Sequence, residues 1–335
     1  MIGNFKHIQT AHCENGVITS LLRHEGLDFM TEPLAFGMGA GLFYIHIPFM
    51  KVSGGPAISY RSMPGGIFSR TCKSLNVELE KKKFNTQLSA QIFLDKKIAQ
   101  GIPVGCQVGV YHLTYFPKEY RFHFNAHNLI VYGKENDNYL ISDPVMEEVT
   151  TLTTAELNKA RFSQGALAPK GHLYYPKNIG KINKTVIQKA IISGINRNII
   201  YMIRLPGPII GVGGIRGTAN KIRTWRDKLG SRKASLYLGQ IVRMQEEIGT
   251  GGGGFRYIYA AFLQESSKIL NNHKLAELSK EMTVIGDLWR DFALDASRIY
   301  KNRSAKNDAY NNVASQLEAI ADKEEIFFKR LKKAI

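Results

Sequence analysis

The sequence predicts an α+β domain followed by an all-α domain. In the first half of the chain, helical segments alternate with short apolar runs that are typical of strands. Beyond Lys177 these runs disappear, and helical periodicity continues to the end of the chain. Because the change falls near residues 176–182, we predict one domain at 1–178 and a second, all-helical domain at 179–335.

The first predicted helix carries a cysteine at its start. The residues after Cys13 have the i, i+3, i+4 spacing of a helix packed on a core, and Gly26 is a suitable stop: Val17, Ile18, Leu21 and Leu22. At a helix N-terminus, free backbone N–H groups and the positive end of the helix dipole favour the thiolate form of a cysteine. Cys13 is therefore a candidate nucleophile.

The remaining elements of the first domain are helices and strands in mixed order. Glycines among residues 37–41 indicate close packing beside the Cys13 helix, and Thr154 is a candidate helix cap. Helices are predicted at 32–36, 67–75, 87–100 and 155–161, and strands at 42–48, 102–108, 127–133, 138–144 and 171–176. The polar loop 134–137 is short enough to make 127–133 and 138–144 a hairpin.

The second domain is predicted to contain helices only. Their ranges are 186–195, 217–229, 236–247, 256–270, 274–296 and 305–333. The run Gly249–Gly254 precedes one of them, so its amides are candidates for holding an anion such as the phosphate of a phosphopantetheine arm. Candidate substrate or carrier contacts are Gly249, Gly251, Gly252, Gly253 and Arg256. A loop that closes over a cleft and a plain connection between helices are the alternatives.

Composition limits the class of protein and its partners. The 335 residues are 44% hydrophobic and 22% charged, as in ordinary globular proteins, and the net charge is +17. Such a surface attracts an anionic partner. The three cysteines match no zinc or disulfide pattern and favour a reducing compartment. With no signal peptide or spanning segment in the sequence, we expect a cytoplasmic protein.

A cysteine nucleophile needs a base and a residue that orients the base. His127 opens one strand of the predicted hairpin and Asp143 ends the other, so antiparallel pairing brings their side chains together. Cys13, His127 and Asp143 are therefore the candidate catalytic residues, in the chain order of papain-like proteins. Taken singly, a cysteine at a helix start and a histidine at a strand start are more often structural.

The sequence resembles the family named after the N-terminal domain of butirosin-biosynthesis protein H. The matching motifs are His12-Cys13 before an apolar helix, the run Glu32-Pro33-Leu34-Ala35-Phe36-Gly37-Met38-Gly39-Ala40-Gly41, and His127 with Asp143-Pro144. The resemblance implies a papain-like fold turned to acyl transfer. The segment Gly249–Arg256, with Tyr259, Phe262, Leu263 and Trp289, is similar to a helical domain of unknown function that often follows.

The resemblance and the three candidate residues predict a cysteine-dependent acyltransferase of a biosynthetic, secondary-metabolite pathway. The acyl group would pass from a carrier-protein or CoA thioester to an amine or hydroxyl acceptor, with a phosphopantetheine-linked donor as substrate. We expect no metal, no tightly bound cofactor and no nucleic acid partner. An acidic acyl carrier protein suits the basic chain, and its candidate docking residues are Lys81, Lys82, Lys83, Arg216, Lys221, Arg223, Arg226, Lys228, Arg232 and Lys233.

The donor to the oxyanion is less well defined. Papain-like peptidases place a glutamine further ahead of the cysteine than Gln9 lies here, so the backbone N–H of Cys13 is the more suitable donor. Gln9 and His12 are secondary candidates. Two other functions stay open: a papain-like peptidase, amidase or thioester hydrolase with water as acceptor, and a non-catalytic basic binding module, for which no nucleic-acid motif is present.

Overall fold

The computed structural model describes residues 5–52, 54–301 and 308–335. In chain order its helices are α1 (Cys13–His24), α2 (Glu32–Met38), α3 (Gly66–Ser74), α4 (Gln87–Ala99), α5 (Thr154–Arg161), α6 (Lys184–Ile199), α7 (Gly211–Leu229), α8 (Ser231–Val242), α9 (Arg256–Leu270), α10 (His273–Tyr300) and α11 (Ala309–Ala334). Its strands are β1 (Leu42–Val52), β2 (Gly55–Arg61), β3 (Val77–Lys82), β4 (Val104–Val108), β5 (His127–Glu135), β6 (Asn138–Ser142), β7 (Thr150–Thr153) and β8 (Leu173–Ile179).

These elements form two compact units. The first unit combines the chain up to Ala35 with Ile67–Val186, and the second combines Phe36–Gly66 with Ile187–Ile335. The α+β class followed by a helical region is confirmed. The second unit also contains the β1–β2 hairpin, whose residues the sequence analysis places within 1–178.

The first unit is a helix packed on an antiparallel sheet, as predicted. Six strands are arranged in the order β3-β8-β4-β5-β6-β7, and every pair in the sheet is antiparallel. Helix α1 packs on β4, β5 and β8, and its four predicted core residues are fully buried. A separate buried cluster joins α4 and α5 to the sheet.

Helix ends follow the local sequence signals. Helix α1 ends at His24, and Gly26 adopts a φ of 87°, a conformation that glycine takes without strain. Helix α5 is capped by Thr153, whose hydroxyl accepts the N–H of Glu156 while the Glu156 carboxylate accepts the N–H of Thr153. The predicted cap, Thr154, is instead the first residue of the helix.

Three strands were not predicted. Strand β3 has the polar sequence VELEKK and forms an edge of the sheet. Strands β2 and β7 lie in segments whose apolar and polar residues do not clearly alternate. Helix α7 begins at Gly211, earlier than the predicted 217. The predicted last helix starts at 305, and its residues 305–307 lie outside the described part of the chain.

The second unit packs the β1–β2 hairpin against helices. Tyr44 and Tyr60, one on each strand, lie edge-on to each other and contact Trp289 of α10. The glycines at 37 and 41 permit close packing in this unit, where a Cβ on Gly37 would lie 2.1 Å from the ring of Phe262. The prediction that they pack beside the Cys13 helix is wrong, because the ring that excludes a side chain at 37 comes from α9.

A buried ion pair crosses the core of the second unit. The guanidinium of Arg256 donates to both carboxylate oxygens of Glu324, at 2.8 and 3.1 Å, and the indole N–H of Trp289 donates to the same carboxylate at 2.7 Å. Both charged side chains are fully buried. Among the described residues, no helix has the length and apolar character needed to cross a membrane.

Candidate active site

Cys13 is the first residue of α1. His12 is the N-cap of the helix, and its Nδ1 accepts the backbone N–H of Asn15 at 3.4 Å. Cys13 is buried, with 7% of its surface exposed. The N–H of Cys13 is one of the four that a helix leaves outside its own hydrogen-bond ladder. The start of α1 therefore presents both a thiol and a free donor.

The structure brings His127 and Asp143 together. Nε2 of His127 lies 2.6 Å from Oδ2 of Asp143, and both side chains are buried. The hairpin explains the contact, because Ile130 of β5 pairs with Ser142 at the end of β6. Since a carboxylate only accepts, Nε2 carries the proton in this hydrogen bond.

The imidazole of His127 also faces the sulfur of Cys13. Cys13 lies near enough to influence the protonation of the ring, and since Nε2 is bound to Asp143, Nδ1 is the ring nitrogen left for the thiol. Burial alone would lower the pKa of His127, but the charges of Asp143 and Cys13 outweigh it and hold this pKa well above its usual range. The arrangement favours a protonated imidazole beside the sulfur.

Tyr115 is a fourth member of this cluster. Its hydroxyl donates to Oδ2 of Asp143 at 2.6 Å, and the Val145 N–H donates to Oδ1 at 3.2 Å. Tyr115 lies in the loop 109–126 between β4 and β5, where Arg121 binds the carbonyls of Thr114 and Phe116. Sequence reasoning missed Tyr115 because nothing in its position marks which loop tyrosine reaches the carboxylate.

Asn128 is a further residue at the sulfur. Its Nδ2 lies 3.9 Å from Sγ of Cys13, and its side chain is 3% exposed. Because neighbouring residues of a strand point to opposite faces of the sheet, its position directly after His127 did not indicate that it reaches the sulfur.

The segment ahead of Cys13 is anchored by Glu32. One carboxylate oxygen accepts the N–H of Ala11 at 2.9 Å, and the other accepts the N–H of His12 at 2.8 Å. Burial raises the pKa of Glu32, and these hydrogen bonds oppose the rise. Glu32 opens the motif quoted above for the family resemblance. Its role at this site is to fix the backbone that leads into the nucleophile helix.

The same segment is tied to the loop that carries Asp143. His7 contacts Ser142 Oγ at 2.7 Å through Nδ1 and the Met146 carbonyl at 3.1 Å through Nε2, and the Thr10 N–H donates to the Pro144 carbonyl at 2.7 Å. A Cβ on Gly16 would lie only 2.4 Å from Cβ of Pro144. The first turns of α1 and the Asp143 loop are therefore held in close contact.

The two secondary oxyanion candidates have different placements. Gln9 is exposed, and His12 uses a ring nitrogen to cap α1. Both backbone N–H groups that directly precede Cys13 bind Glu32. The exposed position of Gln9 and the use of His12 Nδ1 in the cap therefore argue against these two groups as oxyanion donors.

The profile described as "Domain of unknown function (DUF4872)" matches residues 155–331, which is more than half of the chain. The chain belongs to this family. The profile described as "Butirosin biosynthesis protein H, N-terminal" matches residues 12–144 and so spans Cys13, His127 and Asp143. The predicted succession of these two domains is confirmed.

Among solved structures, the chain is similar to the crystal structure described as "an putative C39-like peptidase from Bacillus anthracis", with 14% identity and a TM-score of 0.37. The match covers 53% of this chain and 96% of that one. No curated protein matches the chain.

In the glycine-rich segment of the DUF4872 region, two backbone N–H groups are hydrogen-bonded to side chains of the same chain. The Gly253 N–H donates to the carboxylate of Glu246 at 3.1 Å, and the Gly252 N–H donates to the Thr250 hydroxyl at 3.1 Å. Gly251 is exposed and Gly249 is half-buried. Arg256 is fully buried in its pair with Glu324 and also donates to the Gly254 carbonyl at 2.7 Å. Arg256 therefore presents no surface to a carrier or substrate.

The predicted basic cluster of the DUF4872 region divides into paired and unpaired cations. Arg216 binds Asp322 and Glu325, and Arg223 binds Glu318. The remaining cations are exposed and have no ion pair within the described ranges: Lys221, Arg226, Lys228, Arg232 and Lys233. We call these five residues the α7–α8 basic corner. No group of three or more metal-ligating side chains occurs among the described residues.

Proposed function

We propose that this chain is a cysteine-dependent acyltransferase. The observation that carries the proposal is the line of contacts from Cys13 through His127 to Asp143, set at the N-terminus of a helix. A thiol, a base and a group that orients the base are the components of nucleophilic acyl transfer. The match to a domain named for a biosynthesis protein supports transfer to a biosynthetic acceptor.

The first half-reaction would load the enzyme. The Cys13 thiolate attacks the carbonyl of a thioester, and the oxyanion forms beside the free N–H at the start of α1. Collapse of this adduct breaks the original C–S bond, and the departing thiolate takes the proton that His127 holds. The products are an acyl-Cys13 thioester and a free donor thiol.

The second half-reaction would transfer the acyl group from Cys13 to the acceptor. His127, now neutral, accepts a proton as an acceptor amine or hydroxyl attacks the acyl-Cys13 carbonyl. Collapse expels the Cys13 thiolate and returns the protonated imidazole beside it. Asp143 holds Nε2–H throughout, so that Nδ1 stays directed at the reacting atoms.

A carrier-bound donor suits the charge of the chain. We propose an acidic acyl carrier protein with a phosphopantetheine-linked acyl group as donor. It would dock at the α7–α8 basic corner, because none of these cations has an ion pair in the part of the chain that the structure describes. Reversing Arg232 and Lys233 to glutamate would weaken loading from the carrier. The matched variant, with the exposed Lys274 and Lys280 of α10 reversed, would leave loading unchanged.

The test is intact-mass detection of acyl-enzyme. Wild type is incubated with short and long acyl-N-acetylcysteamine thioesters, and we expect a single adduct that is absent in Cys13→Ala. The adduct should then be discharged faster by an added amine than by water. Rapid discharge by water alone would assign the chain to the thioester hydrolases or amidases. No adduct with any thioester, together with an unreactive Cys13, would favour a non-catalytic binding module.

A further inference from the structure

An acyl adduct on Cys13 needs hydrogen-bond donors for its negatively charged oxygen. Among the side chains directly ahead of Cys13, Gln9 is exposed, Thr10 donates to the His12 carbonyl, and His12 uses Nδ1 to cap α1. The Thr10 N–H binds Pro144, and the N–H groups of Ala11 and His12 bind Glu32. Of the backbone N–H groups from Thr10 to Cys13, that of Cys13 is the one left for the oxyanion, and a second donor from another element would complete the site.

The amide of Asn128 is in the right place. Its Nδ2 lies 3.9 Å from Sγ of Cys13 and donates at 3.1 Å to the carbonyl of Ala126. That carbonyl only accepts hydrogen bonds, so the end of the amide that faces it must be the NH₂ group. The second hydrogen of this NH₂ group is therefore available to the sulfur.

The other end of the amide is fixed by Tyr174. The Tyr174 hydroxyl donates to Oδ1 of Asn128 at 3.0 Å, and its ring stacks on Phe68 with centroids 4.1 Å apart. A Cβ on Gly105 would lie 2.6 Å from the Tyr174 ring, so only glycine leaves room for it on strand β4. The Asn128 amide is thus held at both ends by buried groups before any substrate arrives.

We propose that Asn128 is a catalytic residue that donates to the oxyanion, with Tyr174 as its positioning residue. In the resting site, Nδ2–H faces the sulfur. When the sulfur bonds to the acyl carbon, the negative charge moves to an oxygen two bonds away, within reach of the same N–H. This inference rests on the proposed acyl transfer and names the donor that the missing glutamine would otherwise supply.

The experiment compares two reactions of the same sulfur in the full chain. Acylation by an N-acetylcysteamine thioester forms an oxyanion, whereas alkylation by iodoacetamide forms none. The variants are Asn128→Ala, the isosteric Asn128→Asp, Tyr174→Phe, and Asn138→Ala as a control on an exposed asparagine of the same sheet. Rates are followed by intact mass, and thermal melting establishes that each variant is folded.

We expect Asn128→Ala and Asn128→Asp to slow acylation by about 10²–10³-fold, the cost of losing one oxyanion donor. Alkylation should slow by less than about ten-fold, because it loses only a contact to the sulfur. Tyr174→Phe should slow acylation by a smaller factor, while Asn138→Ala should match wild type in both reactions.

Three results would overturn the assignment. Acylation of folded Asn128→Ala at the wild-type rate would remove Asn128 from the mechanism and leave acyl transfer intact. Equal losses in acylation and alkylation would mean that Asn128 acts only on the sulfur or the fold. A wild type that is alkylated at Cys13 but acylated by no thioester would overturn the proposed function and this assignment together.

Discussion

His127 and Asp143 are joined by a 2.6 Å hydrogen bond between Nε2 and Oδ2, although sixteen positions separate them in the chain. Strand pairing in the β5–β6 hairpin brings them together, and the carboxylate oxygen is shared with the hydroxyl of Tyr115. This shared oxygen fixes the ring so that its other nitrogen meets the sulfur of Cys13. Each element of this arrangement is open to a separate test.

His127→Ala should lower acyl transfer by about 10²–10⁴-fold, because the variant has no base for the thiol or the acceptor. The rate of acyl-enzyme formation and the rate of amine-dependent discharge are measured separately. His123→Ala, an exposed histidine of the preceding loop, is the matched control. Comparable rates in His127→Ala and wild type would rule out the imidazole as the base.

Asp143→Asn should change how stability depends on pH. The raised pKa of His127 means that its protonated form stabilises the folded state fully below the unfolded pKa of about 6.5. This contribution is lost as pH rises through the higher folded pKa. Without the Asp143 charge the pKa of His127 falls. The free energy of unfolding, measured with urea between pH 6 and 9, should therefore decrease less steeply with pH in Asp143→Asn than in wild type. Asp137→Asn, on the exposed hairpin turn, should keep the wild-type slope.

Tyr115→Phe should destabilise the protein by about 1.5–3 kcal/mol, the range for a hydrogen bond to a charged group. Asp143 keeps its bond to His127, so acyl transfer should fall by less than it does in His127→Ala. Urea unfolding gives the change in stability, and intact-mass kinetics give the change in the rate of acyl transfer. Tyr120 is an exposed tyrosine of the same loop, so Tyr120→Phe should change neither the stability nor the rate of acyl transfer. If Tyr115→Phe and Tyr120→Phe have the same stability and the same rate, Tyr115 has no role at the site.

Glu32→Ala should lower the free energy of unfolding by about 1–3 kcal/mol, because the N–H groups of Ala11 and His12 lose their shared acceptor. The start of α1 should also loosen, so that iodoacetamide modifies Cys13 at a different rate. Asp28→Ala removes an exposed carboxylate nearby in sequence and should have little effect. If the alkylation rate of Cys13 is unchanged in Glu32→Ala, Glu32 contributes to stability but does not position Cys13.

Glu324→Gln should destabilise the protein by about 3–5 kcal/mol, since it leaves the charge of Arg256 buried without its counter-ion. The half-exposed pair Arg223–Glu318 is the control, and Glu318→Gln should cost at most about 1 kcal/mol. The double variant Arg256→Met with Glu324→Leu should recover much of the loss. Similar losses in the two single variants would mean that burial does not decide the strength of these pairs.

The parts of the site that follow from local rules were predictable from the sequence. Cys13 begins a helix with a regular apolar stripe, and the short loop 134–137 sets the His127–Asp143 contact by strand pairing alone. Tyr115 and Asn128 could not be found in this way. A loop residue has no periodicity, and Asn128 reaches the sulfur only through the packing of α1 on β5.

The glycine-rich segment shows a different limit of sequence reasoning. A run of glycines before a helix is compatible with anion binding, and the structure places an anion there: the carboxylate of Glu246. The sequence does not reveal that the partner lies seven positions earlier in the same chain. Likewise, the acidic side chains that neutralise Arg216 and Arg223 lie about a hundred residues further on, in α11.

The passage of the chain between its two units limits how the protein can be dissected. The polypeptide leaves the first unit after Ala35, returns at Ile67 and leaves again after Val186, so no single cleavage separates the units. A fragment truncated near residue 178 would retain Tyr44 and Tyr60 but lose the indole of Trp289 that covers them. Such a fragment would expose an aromatic hairpin to solvent and aggregate, whereas coexpression of complementary pieces would restore its cover.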